Sequence, residues 1–259
     1  MTTTIARMPI VGMLGLGEAG RLIAADLRAA GATVRGYDPL PQTRPDVTTP
    51  TAAAAGAEVV LSLTTAAEAL EAARSVLAVL RPGQVYADAN TSGSTLKEEL
   101  AALVAPTGAA FADVALMTPV PGHGVRTPAA ASGPGAEAFR RVLEPFGMPI
   151  TIIPGPPGAA ATRKLLRSVG WKGVASVVNE ALAAARAAGV EDWMRAELLD
   201  LFQNADDGTL VRLEEGSRRH AKRRAREMAD VAELLRELGV TPHLSDAARR
   251  QLEDLDAKG

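Results

Sequence analysis

The sequence predicts an α/β fold: a doubly wound, parallel β-sheet followed by a smaller all-α domain. Three observations carry that reading. Between Pro9 and about Ile153, seven short apolar runs alternate with Ala-, Leu- and Glu-rich segments of helical pattern. The run Pro154-Gly155-Pro156-Pro157-Gly158 then interrupts the chain, and neither a helix nor a central strand passes through such a sequence. Beyond it, every long segment reads as helix. The 259 residues therefore divide into two domains, 1–157 and 158–259.

The strands are expected at 10–14, 33–37, 58–63, 84–87, 110–116, 129–132 and 149–153. Strands alternating with helices of about 10–15 residues point to βαβ units with right-handed crossovers, hence a parallel sheet. In the second part, helices are expected at 159 to about 189, at 193–203, at about 213–238 and at about 245–255. Gly189 reads as the C-cap of the first and Ser245 as the N-cap of the last, with Asp246 favourable in its first turn. Met194, Leu198, Leu199, Leu201 and Phe202, at helical spacing, read as core or subunit contact.

The first strand runs directly into Gly15-Leu16-Gly17-Glu18-Ala19-Gly20, which fits G-x-G-x-x-G and opens a helical pattern over 22–30. In that context the glycines have distinct physical tasks. Gly15 permits the tight turn, Gly17 lets backbone approach a pyrophosphate, and Gly20 lets the helix pack on the strand; the helix amides then face the phosphates. The second strand ends in Asp38, close to the ~20-residue spacing of the carboxylate that holds adenosine ribose hydroxyls. Together these predict a Rossmann-type dinucleotide site. The Asp38 carboxylate repels a 2′-phosphate and Pro39, Leu40 and Pro41 supply no guanidinium, which favours NAD over NADP. Arg44 keeps NADP open if its loop folds back. Thr64 and Asn90, just beyond the third and fourth strands, extend the same crevice toward the ribose or nicotinamide. Helix N-capping by Thr64, Thr65, Thr91 or Ser92 is the competing reading.

Composition narrows the function classes. Twenty-eight basic against 30 acidic residues leave no global attraction for nucleic acid, and 3% aromatics supply no stacking surface. With no cysteine and only His123, His220 and His243, thiolate chemistry is excluded and a histidine-built metal site is not expected. Residues 1–8 lack the apolar run of a signal peptide, and the Ala-rich stretch 174–190 carries Glu180 and Arg186. The chain is expected to be cytoplasmic, with a small-molecule substrate and no membrane partner.

On these features the sequence resembles the β-hydroxyacid dehydrogenase superfamily, the group of 3-hydroxyisobutyrate and 6-phosphogluconate dehydrogenases. It is most similar to the subgroup with a phosphogluconate dehydrogenase-like C-terminal domain of unknown function. That closer match rests on Met117-Thr118-Pro119-Val120-Pro121-Gly122-His123-Gly124, Ser132-Gly133-Pro134-Gly135, Lys172-Gly173 and Arg226-Glu227-Met228. The resemblance implies a hydride transfer between nicotinamide and a small hydroxy acid or its oxo form, with substrate between the domains, in a homodimer. In the family a glycine turn opens the interdomain helix, followed by a general acid/base lysine and, four residues on, an asparagine. The matching positions here are Gly158, Lys164 and Ser168, so the usual partner amide is replaced. The glycine-rich substrate loop is altered as well, to 117–124, where Gly122 and His123 are expected to face substrate.

Independently of the resemblance, Lys164, Ser168 and Lys172 are spaced i, i+4, i+8 and share one side of a helix. A lysine at a half-buried junction suits proton transfer to a developing alkoxide; a solvated helix face is the alternative. Lys172 is a candidate substrate-anion contact or second proton-relay group. The basic run 218–226 reads as a solvated face balanced by Glu214, Glu215 and Glu227, or as guanidinium forks for a carboxylate or phosphate. Two other readings stay open: C=N reduction as in imine reductases, which usually prefer NADPH, and a nicotinamide-binding protein without turnover.

Overall fold

Apolar side chains at alternate positions place each strand between two helical layers. In this computed structural model, which describes residues 8–258, the strands are β1 (Ile10–Leu14), β2 (Thr33–Tyr37), β3 (Val59–Ser62), β4 (Val85–Asp88), β5 (Ala110–Leu116), β6 (Ala129–Ser132) and β7 (Ile150–Ile152). The polar lead-in, apart from Met8, lies outside the described residues. The helices among the strands are α1 (Glu18–Ala29), α2 (Pro50–Ala54), α3 (Ala69–Arg74), α4 (Ser94–Val104) and α5 (Ala136–Leu143). Val11, Met13, Val59 and Leu61 pack into one layer with Ile23 and Leu27 of α1 and Phe139 of α5. Val60 and Tyr86, one residue out of phase, pack into the other with Ala53, Ala73 and Leu100 of α2, α3 and α4.

The strand order is β2-β1-β3-β4-β5-β6-β7. Strands β1 to β5 are mutually parallel, as expected, but β6 runs antiparallel to β5, and β7 is parallel to β6. The sheet is thus parallel over five strands, and its last two strands run the other way. A parallel return needs a crossover, usually a helix. The connection 117–128, broken by Pro119, Pro121, Gly122, Gly124 and Pro128, forms a single 3-10 turn instead. Neighbours of β1 lie on both sides, so the chain changes direction between β1 and β3. The crevice beyond the carboxyl ends of those two strands is where such sheets bind ligands.

After β7 come α6 (Ala159–Ala187), α7 (Glu191–Gln203), α8 (Asp207–Arg219), α9 (Ala221–Glu237) and α10 (His243–Asp256). The chain divides into two compact units between Arg167 and Ser168, within α6 rather than at the Pro/Gly run. The first turns of α6 belong with the sheet because a buried carboxylate of β5 binds them, as described below. Gly189 adopts φ +75° and its N–H bonds the Arg186 carbonyl, closing α6 as expected.

Two helix expectations are corrected. The segment 213–238 is two helices, broken at His220 (φ −117°, ψ 22°), and α8 starts earlier at a capping box of Asp206 and Thr209. Ser245 is not an N-cap: α10 begins at His243, after Pro242. Its N-terminal amides are satisfied by Glu180 of α6, whose carboxylate accepts from Leu244 N (2.7 Å), Ser245 N (2.8 Å) and Ser245 Oγ (2.7 Å). Helices α9 and α10 pack on each other and bury Ala225, Ala232, Leu235 and Leu252, whereas α7 buries none of its side chains. Among the described residues no helix is long and apolar enough to cross a membrane.

Candidate active site

Gly15, directly after β1, has φ +95°, and its N–H donates to the Tyr37 carbonyl at 2.9 Å. A Cβ on Gly15 would lie 2.3 Å from the Leu63 carbonyl oxygen, and one on Gly20 would lie 2.1 Å from the Gly15 carbonyl oxygen. These two glycines serve the contact of β1, α1 and the end of β3. Gly17 differs: a Cβ added there would meet nothing within 4 Å, and as the N-cap of α1 it offers no side-chain acceptor to the helix amides. The open N-terminus of α1 borders a cavity of about 520 Å³ whose walls include Gly15, Gly17, Asp38, Thr64, Glu68 and Glu71. Open space over a glycine, unsatisfied helix amides and a carboxylate at the strand end are what a dinucleotide requires, so the residues fit that group. Of the other loop residues, Leu16 is buried in the core, Ala19 packs against it and Glu18 is exposed.

Asp38 is 9% exposed and works structurally as well. Its Oδ2 accepts from Leu16 N at 2.7 Å and its Oδ1 from Leu40 N at 2.9 Å, bracing the glycine loop against the end of β2. Arg44 adopts the left-handed conformation (φ 53°) after the 3-10 turn Pro41–Thr43 and is not among the cavity walls. Glu68 and Glu71, which sequence reasoning did not single out, add negative charge to those walls.

The end of β4 holds the second part of the site. Asn90 is 4% exposed; its Nδ2 donates to Asp88 Oδ1 (2.6 Å) and Ser62 Oγ (3.2 Å), and its Oδ1 is buried without a hydrogen-bond partner among the described residues. Such an acceptor suits an amide or hydroxyl donor of a ligand. One residue on, Thr91 Oγ1 accepts a hydrogen bond from Lys164 Nζ at 2.8 Å. Lys164 is half-buried on the second turn of α6.

Beneath this contact lies a buried charge cluster that the sequence reading missed. Lys97 of α4 is wholly buried, with Nζ 2.6 Å from Asp88 Oδ2, 3.3 Å from Asp113 Oδ1, and donating to the carbonyls of Asp88 (2.8 Å) and Asn90 (3.0 Å). Asp113 Oδ2 accepts from Ser132 Oγ and from the backbone N–H groups of Gly158, Ala160 and Ala161, at 2.9–3.1 Å. Burial pushes the Asp88 carboxyl above its ordinary pKa, opposed by Lys97. Burial likewise raises the Tyr86 hydroxyl. The signal in the sequence was an aspartate inside the apolar run 110–116, with a lysine at helical spacing from Leu100 and Val104; buried charges are kept only in pairs.

Comparison with known proteins places the architecture. A family model described as the NAD binding domain of 6-phosphogluconate dehydrogenase matches residues 10–134, and one described as a domain of unknown function, DUF1932, matches residues 185–255. A probable 3-hydroxyisobutyrate dehydrogenase of Mycobacterium tuberculosis is 30% identical over 206 residues, covering 75% of this chain and 66% of that protein. Matches to the curated relatives span between 49% and 66% of their length. A conserved protein of unknown function, whose structure is described as similar to 3-hydroxyacid dehydrogenases, is 29% identical with a TM-score of 0.62, over 95% of this chain and 97% of that one. The chain belongs to the β-hydroxyacid dehydrogenase superfamily, with a DUF1932 C-terminal domain. An imine reductase variant from Myxococcus stipitatus, in complex with NAD+, shares the fold at a TM-score of 0.83 and 17% identity, over 98% and 95% of the two chains.

Within this superfamily member, the structure brings Gly15, Gly17, Asp38 and Thr64 to one cavity, and Lys164 to Thr91 beside Asn90. Gly122 and His123 are exposed on the loop between β5 and β6. The turn Gly124–Arg126 that follows them is held against α1, where Val125 N donates to Asp26 Oδ2 at 2.8 Å. The start of the same loop is tied to α6 by a hydrogen bond from Arg167 to the Met117 carbonyl. Ser168 and Lys172 continue along α6 in the second unit, Ser168 half-buried and Lys172 exposed.

Proposed function

We propose that the chain is an NAD-dependent oxidoreductase that moves a hydride between nicotinamide and a small hydroxy acid or its oxo form, with Lys164 as general acid/base. The observation that carries this is the Lys164 Nζ to Thr91 Oγ1 contact at 2.8 Å, at the end of a strand parallel to the one that runs into the glycine loop. Parallel β1, β3 and β4 end on the same edge, so proton donor and dinucleotide cradle share one rim of the sheet.

The nicotinamide, when bound, supplies or accepts the hydride. The protein's part is proton handling and charge. In reduction, the Lys164 ammonium delivers a proton to the alkoxide that forms as the carbonyl is reduced, and its charge stabilises that oxyanion. In oxidation the neutral amine removes the hydroxyl proton. Thr91 Oγ1 accepts one Nζ–H and so fixes the direction of the other donors. Asp38, Glu68 and Glu71 support NAD over NADP, because a 2′-phosphate entering their cavity meets carboxylates and no guanidinium.

A homodimer belongs to the same reading. Along the helical part, Val169, Trp171, Trp193, Leu199, Phe202 and Leu210 are between 49% and 73% exposed, apolar surface that association with a second copy would remove from water. Helix α7, at 13 residues, is too short to be stable in water without packing. A second copy presents the same faces, and sedimentation velocity measures the assembly.

The test runs NAD+ with small hydroxy acids and NADH with cyclic imines, in parallel, on the wild type and Lys164→Ala. Turnover on a hydroxy acid is expected, with a kcat loss of about 10²–10⁴-fold in the variant and unchanged NADH affinity. Hydroxy-acid turnover that survives Lys164→Ala removes the assigned role; turnover on imines alone moves the chain to C=N reduction.

A further inference from the structure

The buried lysine of α4 is linked to both of the segments that carry the Lys164–Thr91 contact. On one side, its ammonium binds the carbonyl oxygens of Asp88 and Asn90, where the chain leaves β4 and turns into Thr91. On the other, it pairs with Asp113, whose second oxygen gathers three N–H groups at the start of α6, just before Lys164. Ser132 Oγ completes that second link, donating to Asp113 and accepting from Ala160 N at 3.0 Å. An ordinary fold does not need this arrangement. Replacing a buried ion cluster by apolar side chains of similar volume is often neutral or stabilising, since desolvation costs as much as pairing returns. Here two carboxylates and one ammonium are wholly enclosed, and their contacts run to the end of β4, to Ser132 of β6 and to the start of the helix that carries the acid/base candidate.

We propose that Lys97, together with Asp88 and Asp113, is a positioning residue that sets the distance between Thr91 and Lys164 Nζ. This rests on the reading of Lys164 as the acid/base. Lys97 does not touch substrate; it locks two backbone segments whose side chains do the chemistry. A misplacement of about 1 Å at such a contact is expected to cost of the order of 100-fold in rate.

The test is a double-mutant cycle. One arm is Lys97→Met/Asp88→Asn, which removes the ammonium and one carboxylate together and leaves Asp113 held by the α6 amides. The other arm is Thr91→Val. Ser132→Ala is a gentler second variant on the same link that strands no charge. All are compared at equal NADH-binding stoichiometry, so misfolded protein is discounted. Two readouts are taken: the pH profile of kcat on a hydroxy acid, and the pH dependence of Lys164 acylation by a small reagent, followed by peptide mass spectrometry, which needs no turnover.

Positioning predicts that each arm lowers kcat about 10- to 100-fold and shifts the Lys164 acylation midpoint, with Ser132→Ala moving both the same way by less. It also predicts that the combined variant is no worse than the poorer arm. Additive losses, or an acylation profile unchanged by Lys97→Met/Asp88→Asn and by Ser132→Ala, overturn the proposal. A shifted acylation profile in a protein whose turnover ignores Lys164→Ala upholds the positioning and removes the acid/base role instead.

Discussion

Gly17→Ala isolates ligand approach from fold. A methyl group at Gly20 would sit 2.1 Å from the Gly15 carbonyl oxygen, more than 1 Å inside an ordinary contact, so Gly20→Ala forces the turn at Gly15 to move. Overpacking of that kind costs about 1–3 kcal/mol of stability and displaces the cradle at once. At Gly17 a Cβ meets nothing within 4 Å, and the backbone (φ −60°, ψ −166°) is open to an L-residue. The apo protein should therefore melt within about 1 °C of wild type, since surface changes stay within roughly 0.5 kcal/mol. The added methyl occupies the space through which a pyrophosphate reaches the α1 amides. If that clash is worth the same 1–3 kcal/mol, NADH affinity falls about 5- to 150-fold. Nicotinamide fluorescence titration and differential scanning fluorimetry on the two variants give both numbers. Gly17→Ala that binds NADH like wild type would refute the placement of the phosphates, whatever Gly20→Ala does.

Two further outcomes follow from single side chains. Asp38→Ser should raise the NADPH-to-NADH affinity ratio about tenfold or more, by removing a charge-assisted acceptor worth ~1.5–3 kcal/mol; it should also lower the melting temperature, since Leu16 N and Leu40 N lose their acceptor. At Glu180, burial pushes the carboxyl upward, but hydrogen bonds from Leu244 N, Ser245 Oγ and Ser245 N outweigh it and hold its pKa below the ordinary 4.5. A depressed carboxyl pKa contributes stability above 4.5 that is lost as pH falls through the lowered value. Glu180→Gln should thus cost about 1 kcal/mol at neutral pH and flatten the acid limb of a urea-denaturation series; an unchanged acid limb contradicts the capping role.

Much of this was legible because strands and loops announce themselves locally. Short apolar runs located all seven strands, and a G-x-G-x-x-G between strand and helix marked the crevice without knowledge of the sheet order. What escaped the sequence depends on partners distant along the chain. The reversal of β6 follows from a connection that fails to form a crossover helix, and the break at His220 falls inside a continuous helical pattern. Ser245 has the right side chain for an N-cap, yet Glu180, 65 residues away, takes that task. Lys97 reads as one more surface lysine of α4 until the fold sets Asp88 and Asp113 against it. Glu68 and Glu71 gain meaning only when the cavity walls bring them beside Asp38.

The most direct test of the central claim is a side-by-side titration of the purified protein with NADH and NADPH, followed by nicotinamide fluorescence. Saturable NADH binding is expected, with NADPH at least about tenfold weaker because of the carboxylates lining the cavity. NADPH preference would contradict the role of Asp38, and binding of neither would contradict the dinucleotide site itself.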